Sequence, residues 1–142
     1  MRIADVLKSK GAGVLTVAPD ATLSTLLGCL VTRNVGALVV VDGGRPVGIV
    51  SERDVVRHLH ARGAGLLDLT VADIMSTHVV TCAPGDSVDA LSALMTTHRV
   101  RHVPVVDDGG LAGIVSIGDV VKTRMSELEQ QQEHLENYIA QG

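Results

Sequence analysis

Two stretches of this chain run through the same order of apolar and polar patterns. Ala37–Val41 and Val103–Val106 are continuous apolar runs and read as buried strands, with Val47–Val50 and Ala112–Val115 as their return strands. Asp42-Gly43-Gly44-Arg45 and Asp107-Asp108-Gly109-Gly110 separate them as hairpin turns, with Gly available for positive φ. Upstream, Leu23, Leu26, Leu27, Leu30 and Val31 recur at the spacing of one buried helix face, as do Val88, Leu91, Leu94 and Met95. Thr22 and Ser87 precede those stripes as good N-caps. Brief strands are expected around Val14–Val17 and Val79–Cys82, ended by Pro19 and Pro84, which supply no ladder donor. A short lead, helical or extended, opens each stretch at Ile3–Leu7 and Val71–Met75.

The parallel is a duplication. Shifting the sequence by 65 positions aligns residues 16–57 with 81–122 without a gap, and 17 of those 42 positions are identical. The leads match at a shift of 68 instead (Ala4-Asp5-Val6-Leu7 with Ala72-Asp73-Ile74-Met75), so the first copy carries three extra residues within Lys8–Gly13. Each copy is a β-α-β-β-α unit of mixed α/β class, and about 60 residues alone would be marginal. Two copies packed sheet to sheet or helix to helix cover one another. The expected organisation is a first unit at residues 1–62, a linker at 63–69, a second unit at 70–125 and a helical extension at 126–142.

That extension has no counterpart in the first copy. Val121, Met125, Leu128, Leu135 and Ile139 keep a 4-3-4-3 spacing if Gln132 takes the remaining seam position. Such a helix either folds back on its own domain or pairs with another subunit. Its outer positions are acidic (Glu127, Glu129, Glu133, Glu136), with no Lys or Arg after Arg124.

Composition narrows the chemistry. Of 142 residues, one is Tyr and none is Phe or Trp, so the core is aliphatic. With a net charge of −4 and no basic cluster or stacking aromatics, nucleic acid is not an expected partner. Cys29 and Cys82 stand alone, without a CxxC spacing, which suits a reducing compartment. Apolar runs of about five residues are far short of the roughly 20 that span a bilayer, and no signal-like segment opens the chain. A cytoplasmic protein without a membrane partner is expected. The six His show no metal-ligand spacing, and no nucleophile elbow or phosphate loop occurs, so no enzyme and no metal site are expected.

The best candidate chemistry lies at two strand-to-helix junctions, Gly-Ile-Val-Ser-Glu-Arg-Asp (48–54) and Gly-Ile-Val-Ser-Ile-Gly-Asp (113–119). Ser51 with Asp54, and Ser116 with Asp119, carry the spacing of a capping box. A helix start also presents free N–H groups and a positive dipole end to a phosphate. A carboxylate one turn in can accept from two ribose hydroxyls. Cap and nucleotide contact are both open readings. The copies differ nearby: Arg53 faces Gly118 in the alignment, while Arg101 and His102 replace Gly36 and Ala37.

The duplicated unit, its Gly-Ile-Val-Ser-x-x-Asp junctions and Arg-His-Val-Pro-Val-Val-Asp at 101–107 together resemble the cystathionine-β-synthase (CBS) domain pair. The resemblance covers residues 3–123 and looks most like small stand-alone bacterial proteins with a C-terminal helix. It implies two units related by a pseudo-twofold axis, a Bateman module, with two clefts that take AMP, ADP, ATP, S-adenosylmethionine or NAD(H) as regulatory ligands rather than required cofactors. By resemblance, Asp54 and Asp119 grip ribose with Ser51 and Ser116 beside them, and Thr16 and Thr81 line the clefts. Arg101 and His102 reach phosphate, next to Pro104 in the same motif, and Arg53 belongs to the first cleft. It further implies a homodimer through the modules, and an effector protein that the sequence does not identify. The alternative is a ligand-independent dimerisation or scaffolding protein.

Overall fold

The computed structural model describes residues 1–11 and 13–141; Ala12, in the inserted segment, and Gly142, at the end of the tail, lie outside it. The first copy forms α1 (Ile3–Lys10), β1 (Thr16–Val17), α2 (Leu23–Arg33), β2 (Ala37–Asp42), β3 (Arg45–Ser51) and α3 (Glu52–Arg62). A 3-10 helix at Gly63–Asp68 leads into α4 (Val71–Ile74), α5 (Val88–His98), β4 (His102–Asp107), β5 (Gly110–Ser116) and α6 (Ile117–Gln141). The fold is mixed α and β, as the hydrophobic pattern predicts.

β2 pairs antiparallel with β3, and β1 lies parallel along β2, Thr16 opposite Val39. β4 and β5 repeat the hairpin, with the register slipping at the equivalent place, Val40/Val41 and Val105/Val106. The turns fold as expected: Gly43 and Gly44 have φ of 58° and 80°, Asp108 and Gly109 of 50° and 77°, the left-handed pair of a type I′ hairpin. The early strands are shorter than the sequence suggests. β1 is two residues long, and its counterpart is a single bridge from Cys82 to Val105. Thr22 and Ser87 cap α2 and α5 through bonds from Thr25 N–H and Ala90 N–H. The buried stripe of α2 narrows to Leu23, Leu26 and Leu30, leaving Val31 80% exposed.

The lead helices exchange places. The Ile3 and Ala4 N–H groups donate to the Asp86 and Pro84 carbonyls, while those of Val71 and Ala72 donate to Ala21 and Pro19. These four bonds are equivalents under the repeat, so the exchange is reciprocal, as a pseudo-twofold axis requires. Ile3 and Val6 therefore join the core of Val88, Leu91, Val103 and Val115. Val71 and Ile74 join that of Leu23, Leu26, Leu38 and Val50. Leu66, in the segment 63–69, is also buried in the first core.

This exchange explains the glycine that opens each heptapeptide. A Cβ on Gly113 would fall 2.6 Å from Leu7 Cδ2, and one on Gly48 would fall 2.6 Å from Met75 Sδ. A bare backbone lets the other copy's lead lie this close, and at Gly48 the Ser76 carbonyl, 2.9 Å from such a Cβ, could not give way as a side chain can.

α6 runs unbroken for 25 residues from the second junction, about 37 Å. Val120 and Thr123 are buried, but every described residue from Leu128 to Gln141 is exposed. The helix does not fold back on its own domain. No helix among the described residues is long and apolar enough to cross a membrane.

Candidate functional site

Both junctions close the same box. At the first, Asp54 Oδ2 accepts from Ser51 N–H at 2.8 Å and from the Ser51 hydroxyl at 3.1 Å, and Asp54 N–H donates back to Ser51 Oγ at 3.4 Å. At the second, the corresponding distances for Ser116 and Asp119 are 2.8, 2.9 and 3.2 Å. In each box the carboxylate is held through Oδ2 alone, and none of these bonds uses Oδ1. Both Asp and both Ser are half-buried. The cap thus aims a fixed carboxylate, partly open to solvent, beside the N–H groups of a helix start.

The sheets bring more groups to the junctions. His102 stands opposite Ser116 across the β4–β5 ladder, where Ala37 stands opposite Ser51. The Arg101 carbonyl accepts from Ile117 N–H at 2.8 Å, as the Gly36 carbonyl does from Glu52 N–H at 2.9 Å. A Cβ on Gly36 would lie 3.8 Å from Glu52 Cδ and 3.9 Å from His102 Cε1, so the copies meet here. Burial lowers the His102 pKa, the Lys10 and Arg101 charges lower it further, and Asp119 and Glu52 oppose them.

Lys10 is the residue that sequence reasoning missed. Its Nζ lies 2.7 Å from Asp119 Oδ2 and donates to the Ile114 carbonyl at 2.7 Å. Burial tends to raise the Asp119 pKa, but the bonds from Lys10 and Ser116 outweigh it and hold the carboxyl below its ordinary value. At the shift of 68 that relates the two leads, Lys10 falls on His78, which is exposed. The only sequence signal was the change of shift from 65 to 68, which marks the insertion but not where its cation goes.

The other candidates are more dispersed. Arg53 is exposed on the first turn of α3, and Arg101 is exposed just ahead of β4. Thr16 and Thr81 are exposed, beside the β1–β2 pairing and the Cys82 bridge respectively. Pro104 is buried, and its carbonyl accepts from Cys82 N–H at 3.1 Å. Two hollows flank the second junction. One of about 340 Å³ is lined by Leu7, Lys10, Pro84, Gly113 and Ile114, and one of about 160 Å³ by Lys10, Asp119, Lys122 and Thr123. Among the described residues, no group of three His, Cys, Asp or Glu side chains suits a metal ion. Burial, with a smaller contribution from Asp86, pushes the Cys82 thiol up to about 11, which leaves it a poor nucleophile.

Comparison with known proteins gives this geometry its context. The CBS domain family matches residues 3–61 and 71–126. The chain is 38% identical to the mitochondrial CBS domain-containing protein CBSX3 of Arabidopsis thaliana, over 99% of this chain and 72% of that one. It is 35% identical to the CBS domain-containing protein YhcV of Bacillus subtilis, over 80% of each. An inosine-5′-monophosphate dehydrogenase from Nitrosopumilus maritimus is 33% identical over 82% of this chain, which spans 25% of that enzyme. Among solved structures, a CBS-domain containing protein from Agrobacterium tumefaciens is 43% identical with a TM-score of 0.83, covering 87% of this chain and 99% of that one. A CBS domain protein from Pyrobaculum aerophilum complexed with AMP is 30% identical with a TM-score of 0.75, over 84% and 89%. The CBS domain pair of protein MJ0100, in complex with 5′-methylthioadenosine and S-adenosyl-L-methionine, is 25% identical with a TM-score of 0.78, over 89% and 98%.

Proposed function

The chain belongs to the CBS domain family, and on that premise we propose that it is a regulatory module whose two junctions bind adenine nucleotides, AMP, ADP, ATP or NAD(H). Binding signals energy or redox state to an effector protein, and the module performs no catalysis of its own. The observation that carries this reading is the paired carboxylate, Asp54 and Asp119, each anchored through Oδ2 beside a helix start and repeated in both copies. Two proteins of similar fold were solved with adenosine ligands, which supports the ligand class.

In this reading the outer carboxylate oxygen accepts from ribose hydroxyls, and the first-turn N–H groups with Ser51 or Ser116 meet phosphate. Arg53 serves the first cleft, and Arg101 with His102 the second. Thr16, Thr81 and Pro104 line the walls. The free thiols of Cys29 and Cys82 fit a reducing compartment such as the cytoplasm. A homodimer through the modules is supported by Val56 and Val121, equivalent positions on α3 and α6 that are 63% and 52% exposed.

Thermal melts with AMP, ADP, ATP and NADH test the reading. A ligand at 100 times its dissociation constant adds about 2.7 kcal/mol to stability, and native mass spectrometry of freshly purified protein counts ligands and subunits together. If none of the four shifts the melt, the nucleotide reading is wrong. A second reading, a dimerisation or scaffolding protein that needs no ligand, is favoured by the bare seam of α6, where Leu128, Leu135 and Ile139 are 62–74% exposed. A double Asp54→Ala/Asp119→Ala variant separates them, because scaffolding survives it and sensing does not. Removing residues 126–142 removes the seam, and an unchanged dimer then puts the main interface in the modules.

A further inference from the structure

The second junction already holds a cation. The Lys10 ammonium sits on Asp119 and on the Ile114 carbonyl, both at 2.7 Å, with the two side chains 32% and 21% exposed. It arrives there from the first copy's lead, as the last residue of α1. Gly11 follows with φ of 88° and Gly13 with φ of 132°, and a Cβ on either would meet nothing within 4 Å. The ammonium sits at the end of a flexible four-carbon stem. It also lines both hollows flanking the junction.

We propose that Lys10 is an exchangeable counter-ion that makes the second cleft select phosphorylated adenosine ligands over uncharged nucleosides. The inference rests on the reading of Asp119 as a ribose acceptor and adds a specificity determinant to it. Without ligand, Lys10 neutralises Asp119. A nucleotide brings its own anion: Lys10 swings from Asp119 Oδ2 to phosphate, while the outer oxygen, Oδ1, accepts from the ribose hydroxyls. An uncharged nucleoside offers the hydroxyls but no anion, so it gains no charge-assisted contact from Lys10, which stays on Asp119 and the Ile114 carbonyl. Among the described residues, no such counter-ion sits on the Asp54 box of the first junction, so the two clefts differ in what they accept. Arg101 adds positive potential on the same side, and Glu52 opposes it.

Isothermal titration of the full chain with AMP and with adenosine reads this directly, using Asp54→Ala as background so that only the second cleft is measured. AMP is expected to bind at least about tenfold more tightly than adenosine. Lys10→Met should shrink that ratio severalfold, by weakening AMP and sparing or strengthening adenosine, and Lys10→Arg should restore it. Lys10 is exposed, and a thermal melt of each variant confirms that it folds. An AMP-to-adenosine ratio unchanged in Lys10→Met overturns the proposal while leaving the nucleotide reading intact. Binding by the wild type that vanishes in Asp54→Ala alone overturns it too, because the second cleft then takes no ligand. Absence of binding by the wild type, with AMP and adenosine both at millimolar concentration, removes the nucleotide reading and this proposal together.

Discussion

The two junctions share a capping box to within a few tenths of an ångström, yet their surroundings diverge. At the first, Gly36 precedes the strand that faces Ser51 from Ala37, and the helix continues with Glu52 and Arg53. At the second, His102 faces Ser116, the helix continues with Ile117 and Gly118, and Lys10 reaches in from the other copy. Local sequence determines the cap, because four residues suffice to make it. What the capped carboxylate meets is determined by remote chain, through the exchange of lead helices. Duplication has thus preserved a holder for a carboxylate and varied its counter-charges.

The exchange itself is where the largest effects are expected. Ile3 is fully buried in the second copy's core, and Val71 in the first. Ile3→Ala should cost about 2–5 kcal/mol. Val71→Ala removes fewer methyl groups and should cost less, about 1–3 kcal/mol. Urea denaturation followed by far-UV circular dichroism measures both. Equal and small losses would mean that the leads are dispensable and that each copy closes its own core.

Next come the contact glycines, which sharpen the comparison because their neighbours differ in kind. The three atoms nearest a Cβ on Gly113 all belong to the Leu7 side chain, which can rotate away. One on Gly48 also meets the Ser76 carbonyl at 2.9 Å, and that carbonyl accepts the Ile49 N–H in a bridge. Gly48→Ala should therefore cost about 1–3 kcal/mol and Gly113→Ala no more than about 1 kcal/mol. Differential scanning calorimetry on the pair gives the order, and a reversed order would break this account.

Much of this was legible in the sequence, for physical reasons. Alternating apolar runs, glycine turns and helix caps are local, so the β-α-β-β-α unit and both Ser/Asp boxes could be read from neighbouring residues. The reciprocal exchange could not, since Ile3–Leu7 and Val71–Met75 carry no mark of which core they enter. Lys10 was invisible for the same reason, 109 positions from its carboxylate. The stripe on α2 overreached at Val31 because periodicity marks a face without giving the width of the sheet that covers it. The seam spacing on α6 could not choose between folding back and standing free.

Cap deletion should give a smaller contrast. Ser51→Ala removes the hydroxyl from an Asp54 that, among the described residues, is held by its own box alone, and should cost about 1 kcal/mol. Ser116→Ala makes the same local loss, but Lys10 still holds Asp119, so its cost should be smaller. Chemical denaturation of both variants, and of each combined with Lys10→Met, checks this. With Lys10 removed, the two serine substitutions should cost the same; a persisting gap would place the asymmetry elsewhere.

The smallest effect concerns pH. The folded pKa of His102 lies below its ordinary value of 6.5, chiefly through burial and then through Lys10. In the window from 6.5 down to that depressed value, the unfolded chain binds the proton and the folded chain does not, so stability falls as pH falls and is fully present above 6.5. Asp119 acts in a separate window. Its folded pKa lies below 3.8, so its contribution is present above that value and is lost only as pH falls through the depressed one. His102→Ala, which restores the residue type of the first copy, should flatten the upper slope and leave the lower one standing. Lys10→Met should flatten the upper slope only in part, since burial remains the larger cause, and should weaken the lower one. Both changes are well under about 1 kcal/mol for these partly exposed, screened groups. Melting temperatures taken from pH 8 to pH 3 on the three proteins resolve the two windows. An upper slope that survives His102→Ala unchanged would mean that the asymmetric imidazole is not what titrates there.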